Sequence, residues 1–294
     1  MHASPETTGT IYDIGYRGYD GQRLGRRGAI SAILWAGLRS VFGMGRSARS
    51  KILPWGAVIL AVIPAGVAVA IKVLVGDIVE LYNYENYLWQ TGALLPIFVA
   101  AQAPELVVND MRHRVLPLYF SRPISRLDYV LSKLAALTIA LLALTLLPVL
   151  LLFVGHILAA EDVVGALGDE IGALPDIIGN GLLHAIVLAS IGLAICAVAG
   201  RRAYAAGAVL ALFLIGSVTS GIFQEQGGGL AGVAPFVHPL AILDGAREWL
   251  FGGTVDGSPV TSAGVPLPLY GLAVLVVLGA CWLVLAIRYR SVTT

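Results

Sequence analysis

Six long apolar stretches, separated by loops whose charge alternates in sign, constrain this chain more than any other feature of its sequence. A backbone in hydrocarbon finds no water, so each stretch must be a helix that satisfies its own N–H and C=O groups. About 20 residues are needed to cross a bilayer core of ~30 Å. The sequence therefore predicts an all-α integral membrane protein with six transmembrane helices. The predicted spans are 52–75, 88–108, 129–153, 177–199, 203–222 and 267–287.

The distribution of charge along the chain predicts its orientation. Lys and Arg are enriched in the cytoplasmic loops of membrane proteins. All but two of the 19 Lys and Arg residues lie before the first span, from the loop after span two to the start of span three, between spans four and five, or after span six. The other loops carry acidic residues instead. Both termini are expected to be cytoplasmic, in a multi-pass protein of the cytoplasmic membrane.

The composition excludes several classes of function. Hydrophobic residues make up 57% of the chain and the mean hydropathy is +0.83, which is too apolar for an ordinary soluble domain. Cys196 and Cys281 fall inside apolar spans and are expected to be small core residues. The sequence contains no metal-ligand spacing and no Walker A motif. We expect no metal site, no cofactor bound by this chain, no nucleic-acid partner and no enzymatic activity.

The chain divides into a cytoplasmic segment, residues 1–51, and a transmembrane domain, residues 52–294. Within the first segment, residues 29–44 place apolar side chains at helical spacing, which predicts an amphipathic helix too short and polar to span. Its apolar face includes Ile30, Leu34, Leu38 and Val41. Such a helix either lies in the cytoplasmic interface against membrane lipids or packs on a cytosolic partner.

The predicted cytoplasmic loop 105–128 is longer and more apolar than a simple turn requires. Its mixture of charged and apolar residues indicates a docking surface. Ser125 is positioned to cap span three. Glu105 lies near a membrane boundary, where a carboxylate needs a partner, and Lys133 on the next helix is a candidate. The docking residues are Glu105, Asp110, Arg112, Arg114, Leu116 and Tyr119.

The end of this loop resembles a motif of ABC-2 type transporter permeases, in which a P-[ILV]-[ST]-R-x-x-[YF]-x-x-x-K run opens the third helix. The N-terminal sequence Tyr12-Asp13-Ile14-Gly15-Tyr16 also resembles actinobacterial members of that family. Six helices, cytoplasmic termini and an interfacial N-terminal helix agree with the same family. The matching motif residues are Ser121, Arg122, Pro123, Ser125, Arg126 and Lys133.

The resemblance implies a permease subunit of an ATP-driven transporter that contains no ATP site of its own. Two permease subunits, identical or related, would pair with two cytosolic ATPase subunits, which would bind ATP and Mg. Residues 105–119 would form the coupling region that docks on the ATPase, and the helix over 29–44 would be the connecting helix. The expected function is export of an amphiphilic or hydrophobic substrate, such as a drug, lipid or peptide-like molecule.

The longest predicted external loop, residues 223–266, has an apolar and aromatic middle that is too short and interrupted to span. We expect a short helix over about 235–251 that lies in, or partly re-enters, the outer leaflet. By the resemblance, such a helix caps the exit of the transport pathway. The alternative is a loop packed on its own bundle. The candidate gate residues are Phe236, Pro239, Trp249 and Phe251.

Two other classes of function remain open at this stage. One is a secondary transporter or channel that works alone, although the sequence has no paired intramembrane charges and no evident inverted repeat. The other is an ABC-like membrane scaffold that transmits a signal without moving cargo. The sequence does not distinguish homodimer from heterodimer, or identify the cargo.

Overall fold

The computed structural model describes residues 25–76, 82, 84–113, 115–121, 123–253 and 258–290. Within these ranges every regular element is helical, and there is no strand. The predicted docking residue Arg114 and the motif residue Arg122 lie outside the described residues, as does the Tyr12–Tyr16 sequence. The fold class is therefore all-α, as the sequence predicts.

Thirteen α-helices are present in the part of the chain that the structure describes. A short 3-10 helix at Ile171–Ala173 joins α7 to α8. The α-helices are α1 Gly25–Val41, α2 Ala48–Val75, α3 Tyr84–Thr91, α4 Leu94–Arg112, α5 Leu116–Phe120, α6 Arg126–Ala159, α7 Val163–Glu170, α8 Leu174–Val198, α9 Arg202–Gln226, α10 Gly228–Val237, α11 Pro239–Phe251, α12 Pro259–Ala263 and α13 Pro268–Arg290.

Five segments of the described chain are long and apolar enough to cross a membrane, and they match five of the six predicted spans. They are Ala48–Leu74, Arg126–Ala159, Val163–Val198, Arg202–Gln226 and Pro268–Arg290. The predicted second span, 88–108, is not among them. Its chain is divided at Gly92 between α3 and α4, and α4 carries Gln102, Glu105 and Asp110. The helix α4 packs against α6, α8 and α9 and buries much of its length.

The external helix predicted over 235–251 is replaced by a bent pair of helices. Together, α10 and α11 pass the same test of length and composition, and they meet at 94°, as in a broken span or a re-entrant loop. Counting this pair gives up to six spans. Pro239 explains the break, because its ring cannot continue a helix from α10 but is favourable at the first position of α11.

The core of the bundle is formed by α4, α6 and α8. In α8, 72% of the apolar stretch is buried, compared with 22% in α2 and α9 and 17% in α13. The outer helices present large apolar side chains such as Leu60, Leu214 and Leu275 to the surroundings. Gly192 brings α8 close to α4, since a β-carbon there would lie 2.4 Å from Val99. The peripheral helices thus give the bundle an apolar outer surface.

The amphipathic helix predicted over 29–44 is α1, which begins four residues earlier and ends at Val41. It packs along the first turns of α6, where Arg26 contacts Asp128 and a β-carbon on Gly37 would lie 2.9 Å from Ala136. The helix ends before Gly43, whose φ of 63° favours glycine. The predicted apolar face is partly correct: Val41 is buried, whereas Ile30, Leu34 and Leu38 are half-buried.

Candidate functional site

The candidate site lies where α1, α4 and α5 meet the start of α6, the α8–α9 hairpin and the end of α13; we call this the basic end of the bundle. Three carboxylates there, Glu105, Asp110 and Asp128, each form at least one ion pair. The hairpin itself is tight, because α8 ends at Val198 and α9 begins at Arg202. Charge pairing therefore connects elements that are distant in sequence.

Glu105 joins three parts of the fold. Its carboxylate pairs with Arg46, in the turn between α1 and α2, at 3.2 Å, and with Arg202, at the start of α9, at 2.5 Å. Asn109, one turn along α4, donates to the same carboxylate at 2.8 Å. The side chain of Glu105 is only 12% exposed. The predicted pairing of Glu105 with Lys133 is wrong.

Lys133 pairs instead with Asp110, at 2.7 Å. The reason is helical geometry: five residues along α4 turn a side chain by about 140°. Glu105 and Asp110 therefore face different neighbours. Tyr129, one turn before Lys133 on α6, donates to Asp110 at 2.8 Å, and the Lys133 ammonium lies 5.4 Å from the Tyr129 ring centre. This buried arrangement fixes the end of α4 against α6.

Asp128 combines a capping role with an ion pair. Its backbone N–H donates to the Ser125 hydroxyl while its carboxylate accepts from the Ser125 N–H, a reciprocal capping box. The predicted cap at Ser125 is thereby confirmed. Both carboxylate oxygens also accept from the Arg26 guanidinium at 2.8 Å. This bidentate pair ties the start of α1 to the start of α6.

Aromatic packing holds the short helix α5 in place. The Tyr129 ring lies 5.7 Å from Tyr119, 6.2 Å from Phe120 and 5.6 Å from Tyr289 on α13, measured between ring centres. Leu116, at the start of α5, is buried. Burial, with a smaller contribution from the charge of Asp110, raises the pKa of the Tyr119 hydroxyl. The helix α5 is therefore anchored at both ends by side chains that face the bundle.

Two residues of α5, Pro117 and Leu118, are exposed. Leu118 is 69% exposed, and with residues of α1 it borders a groove of about 340 Å³. The α1 side of the groove is apolar and includes Ala32, Ile33 and Ala36. Trp35, also on α1, is 60% exposed. The basic end thus presents an apolar surface on a rigid, ion-paired support, which is an arrangement suited to binding another protein.

The remaining predicted docking and motif residues have mainly local roles. Arg112 is exposed in the last turn of α4, and the structure records no ion pair for it among the described residues. The Ser121 hydroxyl donates to the Leu118 carbonyl at 2.9 Å, and Pro123 is exposed. Arg126 donates to the Arg290 carbonyl on α13 at 2.9 Å.

The predicted gate residues do not form one cluster. Phe236 stacks on Tyr270 of α13, with ring centres 5.0 Å apart. Trp249 packs at Gly271 one residue further along α13, whereas Phe251 packs at Gly179 on α8. Pro239 begins α11. The side chains therefore hold α10 and α11 on the bundle, which agrees with the alternative of a segment packed on its own protein.

Sequence reasoning missed several polar residues. The ion pair between Arg202 and Glu105 was not predicted. Basic residues are common in all predicted cytoplasmic loops, so the sequence gives no reason to assign Arg202 a particular partner. Asp244 and Arg247 are both 3% exposed on α11. The sequence does distinguish Arg247, since it is one of only two basic residues outside the basic clusters. In the described part of the chain, no group of three or more His, Cys, Asp or Glu side chains could hold a metal ion.

Comparison with known proteins finds no family model that matches this chain and no curated protein that matches it.

Proposed function

We propose that this chain is the permease subunit of an ATP-driven transporter of the cytoplasmic membrane, and that it exports an amphiphilic or hydrophobic substrate. The basic end faces the cytoplasm, together with both termini. Two copies, or one copy and a related permease, work with two cytosolic ATPase subunits that bind ATP and Mg. The loop over 105–119 and the helix α1 form the surface on which the ATPase docks.

The observation that carries this proposal is the exposure of Leu118 on a helix that is otherwise fixed. A docking element that transmits movement must be rigid on the side facing its own bundle and accessible on the other. Tyr119 and Leu116 provide the attachment of α5, and Leu118 provides the accessible apolar side chain. The ion pair between Asp110 and Lys133 fixes the end of α4, which precedes α5 in the chain.

The first test is purification of the tagged chain from its native cell in mild detergent, with mass spectrometry of the proteins that co-purify. We expect to recover a soluble protein that carries a Walker A motif, in an amount equal to that of the tagged chain. Leu118→Ser should lose that protein without unfolding the permease. The matched control is Leu158→Ser, because Leu158 is equally exposed, at 68%, at the opposite end of α6.

Two results would redirect the proposal. A stable chain that never co-purifies with an ATPase would favour the secondary transporter or channel. An associated ATPase whose hydrolysis rate in liposomes does not respond to any tested amphiphile would favour the signalling scaffold. Retention of the ATPase by the Leu118→Ser variant would show that α5 is not the docking surface.

A further inference from the structure

At the basic end, a second groove lies between α6 and α13. The groove has a volume of about 300 Å³, and its floor is formed by Val130, Leu285 and Ala286. Trp282 lines one wall. Both helices are among those long and apolar enough to span a membrane, and the groove lies between the first residues of α6 and the last residues of α13.

Two arginines line the groove where α6 begins and α13 ends. Arg126 begins α6 and Arg290 ends α13, and the Arg126 guanidinium donates to the Arg290 carbonyl at 2.9 Å. A guanidinium has five N–H donors, and among the described residues that of Arg126 makes this one hydrogen bond. Among the residues that the structure describes, none that lines the groove is acidic. The nearest carboxylate along α6, Asp128, is neutralised by Arg26.

We propose that this groove binds an anionic phospholipid of the adjoining leaflet. The phosphate lies between Arg126 and Arg290, and one acyl chain follows Trp282 and Ala286 into the groove. Basic pockets between transmembrane helices are suited to such headgroups because charge attraction and acyl-chain burial act together. The proposal does not depend on ATPase docking, since the groove shares no residue with α1 or α5.

Trp282 provides a direct probe of the groove. A protein with the other four tryptophans changed to phenylalanine would be reconstituted with lipid that carries a doxyl quencher on its acyl chain. We expect doxyl-phosphatidylglycerol to quench Trp282 at lower mole fraction than doxyl-phosphatidylcholine. Arg126→Gln and Arg290→Gln should each weaken the preference about fivefold. Arg39→Gln, which removes an exposed arginine from α1 at the same end, should leave it unchanged.

A variant that fills the groove distinguishes lipid binding in the groove from attraction of lipid to the surface charge. Ala286→Phe keeps both arginines but occupies the space for the acyl chain, so it should abolish preferential quenching. Its matched control is Leu283→Phe, on the exposed face of the same helix outside the groove. If the tryptophan-depleted protein does not fold, native mass spectrometry of the wild type and the Arg126→Gln variant measures the retained lipid by its mass.

Three outcomes would overturn the proposal. Equal quenching by both lipids would make the groove an ordinary lipid contact. A preference for phosphatidylglycerol that persists in both arginine variants would place the headgroup elsewhere. Displacement by millimolar inorganic phosphate, with no dependence on the acyl chain in the Ala286→Phe variant, would identify a site for a free anion.

Discussion

The two ends of this bundle are held together by different interactions. At the basic end, α1, α4, α6 and α9 are joined by charged pairs centred on Glu105, Asp110 and Asp128. At the opposite end, the bent helices α10 and α11 are attached by rings that pack where glycine leaves space. These contacts are Tyr270 on Gly245, Trp249 on Gly271, and Phe251 on Gly179.

This difference shows which kind of interaction determines the contacts at each end of the bundle. An ion pair depends on the identity of both partners, so it selects which elements of the fold become neighbours. A ring on a glycine depends on shape and tolerates almost no added volume. The basic end is therefore specified by which charged residues meet, and the opposite end by how closely its side chains fit together.

The largest expected effect is removal of the buried cation at the basic end. Lys133→Met would leave the Asp110 carboxylate, 17% exposed, without its ion partner, and breaking a buried pair in this way costs about 3–5 kcal/mol. The free energy of unfolding in mixed detergent–SDS micelles measures the loss. The double variant Lys133→Met, Asp110→Asn should recover much of it, because no unpaired charge remains. Equal losses in the single and double variants would contradict this explanation.

At the opposite end, Gly245→Ala is expected to have the next largest effect. The added β-carbon would lie 2.4 Å from the Tyr270 ring, which is fully buried and has no space to move. Overpacking of this kind costs about 1–3 kcal/mol. The control is Gly279→Ala on α13, where a β-carbon meets nothing within 4 Å, and where alanine should be neutral or stabilising. A similar destabilisation in both variants would remove the packing argument.

Glu105→Gln should weaken the basic end by a smaller amount. The variant keeps an acceptor for Asn109 but loses the charge that attracts Arg46 and Arg202. Both arginines are about half exposed, so water screens the pairs and we expect a loss of about 1 kcal/mol. Raising the salt concentration should reduce the difference in the free energy of unfolding between this variant and the wild type. Arg112→Gln on the same helix serves as the control and should leave the stability unchanged.

How far the sequence predicts this molecule depends on whether a feature is local. The five spans follow from continuous hydropathy, and the Ser125 cap follows from residues three apart. The partner of Glu105 was mispredicted because the sequence places Lys133 at the correct end of the bundle but does not define the direction in which each side chain points. The early start of α1 was missed because Gly25 disfavours a helix, whereas the tertiary pair between Arg26 and Asp128 favours one.

The smallest expected effect is at the start of α1. Arg26→Gln removes a bidentate pair, but 63% of the arginine side chain is exposed, so solvent and salt screen most of its attraction to Asp128. The buried Ile33, Gly37 and Val41 keep the helix on α6. Hydrogen exchange of the α1 amides should therefore rise only slightly, and the rise should disappear at high salt, where the wild-type pair is also screened.

A second variant of α1 changes the packing of the helix and leaves its charge unchanged, so it can be compared directly with Arg26→Gln. Gly37→Val places a side chain against Ala136, where even a β-carbon would lie 2.9 Å away, and it should release α1 from α6 and raise exchange along the whole helix. If Arg26→Gln instead releases α1 as fully as Gly37→Val, then charge and not packing holds this helix. The helix α1 would then separate from α6 when Asp128 loses its partner, and the groove between α1 and α5 would open with it.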